Sequence, residues 1–93
     1  MAVRKASHAG SWYTDDGEQL DEELASWLEA VPATVSTVAT TSETETPVPM
    51  RGVRAIIGPH AGLSYSGETA AYAYKSIDTT GIKRVFILGP SHH

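Results

Sequence analysis

Histidine is the residue type in this 93-residue chain best suited to chemistry, and three of its four copies follow a Gly-Pro pair. One stretch reads Gly58-Pro59-His60-Ala61-Gly62, and the other reads Gly89-Pro90-Ser91-His92-His93. Neutral imidazole is a good ligand for zinc, iron, copper and nickel. Two imidazoles delivered to one place would therefore begin a metal site, and His60 and His92 are the pair we take as candidate ligands. His93 is the immediate neighbour of His92, so its side chain is expected to point elsewhere. It is a candidate second-shell donor or general acid/base, or ordinary surface. His8 stands apart in "ASHAGSWYT", where the plainer reading is a histidine in a terminal arm.

The elements that must position these residues can be read from the pattern. Residues 53–57 and 85–88 are short apolar runs, partly β-branched, and each is stopped by Gly-Pro. They suit buried strands. Between them "ETAAYAYKSI" is expected to be helical, starting at Ser66 or Gly67 and running to about Asp78, with Gly81 able to close it in a left-handed conformation. Strand, helix, strand with near-continuous apolar strands describes a βαβ unit of a parallel sheet. Ligands of such sheets bind beyond the carboxyl ends of the strands, which is where His60 and His92 fall. Trp12, Tyr13 and Tyr65 are large aromatics in predicted loops. They either pack on the sheet or wall a pocket at that edge, and the start of the helix offers an anionic group a positive dipole end.

The flanking chain is simpler. Residues 15–30 are predicted to form a helix, with Asp15 at the cap and Glu18 at the capping-box spacing. Leu20, Leu24, Trp27, Leu28 and Val31 make one apolar stripe, while Asp21, Glu22 and Glu29 lie on the wet side. Residues 32–49 are rich in Thr, Ser, Val, Pro and Glu, and are expected to be a flexible insertion. An irregular edge strand through Val35 and Val38 is the alternative.

Composition narrows the partners. The formal net charge is −4, and Arg51, Arg54, Lys83 and Arg84 do not form a basic stripe, so nucleic acid is not favoured. With no cysteine the chain supplies neither a disulfide nor a thiolate ligand. No apolar run approaches bilayer-spanning length, and the expectation is a soluble protein of the cytoplasm, with the nucleus as a second location.

"ASHAGSWYT", "PHAGLSYSG", "AYAYK" and "RVFILGPSHH" together resemble the Memo family, which is related in fold to the class III (LigB-type) extradiol dioxygenases. The resemblance implies an α/β fold, with residues 1–93 as the front part of one longer Memo-like domain and 32–49 as an insertion. It implies that His60 and His92 are metal ligands, with iron or copper as the metal and the third ligand outside this chain. It places Trp12 and Tyr65 in the ligand pocket, where His8 and Ser91 are further candidates. The function implied is that of a metal-binding protein with a redox, oxidoreductase-type role in cell signalling and motility. A phosphotyrosine-peptide adaptor and an extradiol-type dioxygenase are the alternatives. The partner would be such a peptide or a small molecule, the oligomeric state is open, and the 93 residues alone are expected to be inactive.

Overall fold

The computed structural model describes residues 2–39 and 42–92, so His93 lies outside the described residues. In chain order the elements are helix α1 (Gly17–Ala30), strands β1 (Thr34–Ala39) and β2 (Ser42–Pro47), and helix α2 (Leu63–Lys75). The fold is thus mixed helix and strand.

Helix α1 starts one residue later than the capping pattern suggests. Asp16, not Asp15, is the N-cap, and its Oδ1 accepts from the backbone N–H groups of Glu18 (3.0 Å) and Gln19 (3.2 Å). These are two of the donors a helix start leaves unpaired. Glu18 adds negative charge in the first turn, where the dipole favours it. The helix ends at buried Val31, whose N–H reaches Leu28 O, just before Pro32. Asp16→Ala should cost about 1 kcal/mol and lower the melting temperature by roughly 4–8 °C. Thermal unfolding followed at 222 nm checks this, and an unchanged midpoint would remove the cap from the account.

Helix α2 begins one turn earlier than expected, because its first donors find partners. Leu63 N–H donates to Trp12 O at 2.8 Å, while Tyr65 and Ser66 N–H both donate to Gly62 O. The Ser66 hydroxyl donates back to Ala61 O and Gly62 O. The helix also ends earlier, at Lys75, where Ser76 turns its hydroxyl onto Ala73 O. Beyond it Asp78 Oδ1 accepts from Thr80 N–H at 3.0 Å, and Gly81 takes φ +80°, the left-handed conformation foreseen for it. The backbone and side-chain hydrogen bonds from Thr80 hold the Asp78 carboxyl below its ordinary value. A lowered folded-state value means that this turn is supported above the unfolded value and weakened as pH falls through the folded one.

The two helices pack on each other through small residues. Ala71 and Val31 are the buried apolar side chains, with Ser66, Gly67 and Ser76 also buried. The six-membered ring of Trp27 lies directly over Gly67. Among the described residues no large side chain is fully buried, so the core is thin.

Residues 32–49 differ from the expected flexible insertion. They carry an antiparallel hairpin paired from Thr34↔Pro47 to Ala39↔Ser42. The segment is rich in β-branched residues, which favour extended backbone even without a core, and its prolines stand at or beyond the strand ends, clear of the ladder's interior. The hairpin's feet are tied: Val48 N–H donates to Ala33 O at 2.9 Å, and Met50 N–H to Ser76 O at 2.8 Å.

The largest departure concerns the two apolar runs. Residues 53–57 and 85–88 were expected as buried strands of a parallel sheet. Both lie outside the assigned strands, and the sheet found among the described residues is the two-stranded antiparallel hairpin. Ile57, Phe86, Ile87 and Leu88 are 86% or more exposed. Residues of both runs still line one open groove of about 550 Å³, among them Val53, Ile56, Val85 and Phe86, together with Ile77 and Ile82. The physical reason is cover. A buried strand needs apolar layers on both faces, and α2 gives its small-residue face to α1 instead.

Candidate functional site

Two segments meet beyond the ends of those runs. His60 follows Gly58-Pro59, with the ring of Tyr74 beside Gly58. His92 follows Gly89-Pro90-Ser91. The Nε2 atoms of His60 and His92 are 2.7 Å apart, with the rings 14° from parallel and their centroids separated by 4.8 Å. At that distance one exposed imidazole can donate to the other, the tautomers setting which does so.

The amino-terminal arm brings the third wall. Ser11 and Trp12 N–H groups both donate to His8 O, and Gly10 N–H donates to Tyr13 O at 2.7 Å. Gly10 sits at φ +88°, a conformation that glycine adopts without a Cβ penalty. This tight loop puts the side chains of His8 and Trp12 together, with ring centroids 5.5 Å apart. The Trp12 O to Leu63 N–H bond then fastens the loop just past His60. In consequence the Trp12 indole lies 5.4 Å from the His60 ring and 5.0 Å from the His92 ring. His8 stands edge-on to His92 at 6.2 Å. Five aromatic contacts thus join four side chains drawn from three separate stretches of sequence.

Other candidates are placed differently. Tyr65 projects into solvent, 88% exposed, and among the described residues makes no ring contact with the cluster. Its position in the first turn of α2 explains this, since the helix start is fixed by Gly62 and Trp12, and the ring is carried outward. Ser91 is exposed beside His92. His93, the candidate second-shell group, lies outside the described residues.

Metal–imidazole bonds of about 2.0–2.1 Å at a tetrahedral angle place two ligand nitrogens roughly 3.3 Å apart. The observed 2.7 Å must open by a little over half an ångström to admit an ion. Both rings are exposed and can make that movement. Among the described residues no group of three or more His, Cys, Asp or Glu side chains is arranged to hold a metal ion. The residues present therefore fit two corners of a centre and leave the others to different donors.

Trp12 also lines a second cavity that the sequence did not announce. It has a volume of about 520 Å³, and its walls include Trp12, Tyr13, Trp27 and Glu23. Glu23 was not singled out in the sequence, and Trp27 was read only as part of the apolar stripe. The available signal was the i, i+4 relation of Glu23 and Trp27 on one helix face.

Among the described residues, no helix is long and apolar enough to cross a membrane. No solved structure matches the chain. Among curated proteins, "Protein MEMO1" of Homo sapiens and of Mus musculus are each 49% identical over 93 residues, all of this chain but 26% of theirs. "Protein memo-1 homolog" of Caenorhabditis elegans is 46% identical over 90 residues, 97% of this chain and 21% of that protein. The chain thus spans about a quarter of the length of these relatives. The Memo-like protein model matches residues 4–93, from the arm that carries His8 and Trp12 to His92 and His93, and the chain belongs to the Memo family.

Proposed function

We propose that this chain supplies two imidazole ligands, His60 and His92, to a metal centre that holds iron or copper and serves a redox role in cell signalling and motility. The observation that carries this reading is the 2.7 Å approach of the two Nε2 atoms, delivered by two segments 32 positions apart. A bound iron or copper would supply one-electron chemistry at this spot. The chain's own contribution is to orient the two imidazoles and to shield one side of them with the Trp12 indole. The third donor lies outside these 93 residues. In the same proposal, runs 53–57 and 85–88 become strands of a parallel sheet when neighbours pair with them and cover their apolar faces.

Anaerobic titration of a longer chain that includes the third donor, with ferrous and cuprous ions, followed by desalting and elemental analysis, tests the reading. About one equivalent should be retained near neutral pH and released on acidification, because imidazole must be neutral to coordinate. Absorption-edge spectroscopy of the loaded protein should show nitrogen neighbours at about 2.0–2.1 Å. Failure to retain either ion would overturn the proposal and leave a peptide-binding role for the open, Trp-walled surface.

A further inference from the structure

The second cavity lined by Trp12 has chemistry of its own. Its two indoles, Trp12 and Trp27, are the only tryptophans in the sequence. Tyr13 adds a phenol, and Ser11 and Ser64 add hydroxyls. No lysine, arginine or histidine lines it, and Glu23 is its only carboxylate. Glu23 is held in place by a short relay: the Thr14 hydroxyl donates to Gln19 Oε1 at 3.2 Å, and Gln19 Nε2 donates to Glu23 Oε1 at 3.1 Å. Among the described residues no cationic side chain pairs with that carboxylate. The volume of about 520 Å³ falls within the range typical of small-molecule sites, roughly 300–1,000 Å³.

We propose that this cavity is a binding site for a small organic cation, an alkylammonium or trimethylammonium group. Indole and phenol rings present negative faces to a cation, and quaternary ammonium groups are recognised by walls of this kind. A single fixed carboxylate supplies the opposite charge. An anion meets the reverse: one negative group, no positive one, and aromatic faces that repel it. The site is distinct from the histidine pair, since no histidine lines the cavity. The inference therefore does not rest on the metal reading.

Because both tryptophans line the cavity, intrinsic fluorescence reports on it directly. The 93-residue chain, in buffer with chelator so that metal plays no part, is titrated with choline and with its neutral isostere 3,3-dimethylbutan-1-ol. Choline should give a saturable change, at least about tenfold tighter than the isostere, the factor expected when both ring faces and carboxylate favour charge. Glu23→Gln, a substitution neutral for the helix, should weaken choline by about fivefold or more and leave the isostere unchanged. Trp27→Phe keeps an aromatic wall and should weaken it less. Equal binding of choline and isostere would overturn the proposal in favour of a merely apolar cavity. Absence of saturable binding of choline would overturn it outright.

Discussion

Replacing His60 and His92 together by alanine should abolish retention of iron or copper, while the helical signal at 222 nm stays unchanged. Both side chains are exposed, and among the described residues their Nε2 atoms hydrogen-bond only with each other, so the double change leaves no buried group unpaired. Each single variant removes one of two ligands and frees the other to rotate. Loss of a mere supporting contact to a ligand already costs about 10–100-fold in metal affinity, so loss of a ligand itself should exceed that. The singles and the double should therefore look nearly alike, since one imidazole does not hold an ion against buffer. His8→Ala provides the contrast. Its ring stands edge-on to His92 at 6.2 Å, a packing distance and not a coordinating one. With a ring contact and no hydrogen bond to His92, it should lower affinity by less than about tenfold, below the cost of losing a hydrogen-bonded supporting partner. If His8→Ala matched the double variant, or if the double variant kept its metal, the assignment of His60 and His92 would fall.

That pair was legible because of how runs and breakers alternate. Gly58-Pro59 and Gly89-Pro90 each stop an apolar run, and a histidine follows within two positions. Such punctuation marks where a chain leaves an extended segment, whatever surrounds it. What surrounds it was not legible. Residues 53–57 and 85–88 have the composition of buried strands, but burial depends on layers that a local pattern does not contain. Here they line a common groove, and Ile57, Phe86, Ile87 and Leu88 stand in the open. The hairpin was missed for the opposite reason. Its composition is that of a solvated linker, and only the ladder from Thr34↔Pro47 to Ala39↔Ser42, with its tied feet, shows the β-branched residues deciding the matter. The helix starts differed by one residue and one turn, because partners set them. Thr14 engages Asp16, and Trp12 O receives Leu63 N–H. The role of Trp12 at two sites, and that of Glu23 in the second, depend on tertiary placement that periodicity does not encode.

Gly67→Ala should destabilise the chain, although alanine is the better helix former. The substitution in an exposed helix would gain about 1 kcal/mol. At position 67 an added Cβ would lie 2.4 Å from Trp27 Cζ3 and 2.6 Å from Cε3 and Cη2. Carbon atoms pack at about 3.5–4.0 Å, so the indole must retreat by more than an ångström. Overpacking of this kind costs typically 1–3 kcal/mol, and the severity of the contact puts it at the upper end. The net loss is then about 2 kcal/mol, which lowers the melting temperature by roughly 8–16 °C. A domain this short has roughly 5–14 kcal/mol to lose at most, and among the described residues its core is Val31, Ala71 and the Trp27–Gly67 contact. The sign of the effect carries the test. With Trp27→Ala already in place the obstacle is gone, and adding Gly67→Ala should then stabilise by about 1 kcal/mol, the helix-propensity term alone. A change from destabilising to stabilising between the two backgrounds is the signature of direct contact between the ring and the glycine. If Gly67→Ala raised the melting temperature in both backgrounds, Trp27 would not be the residue that sets the distance between α1 and α2.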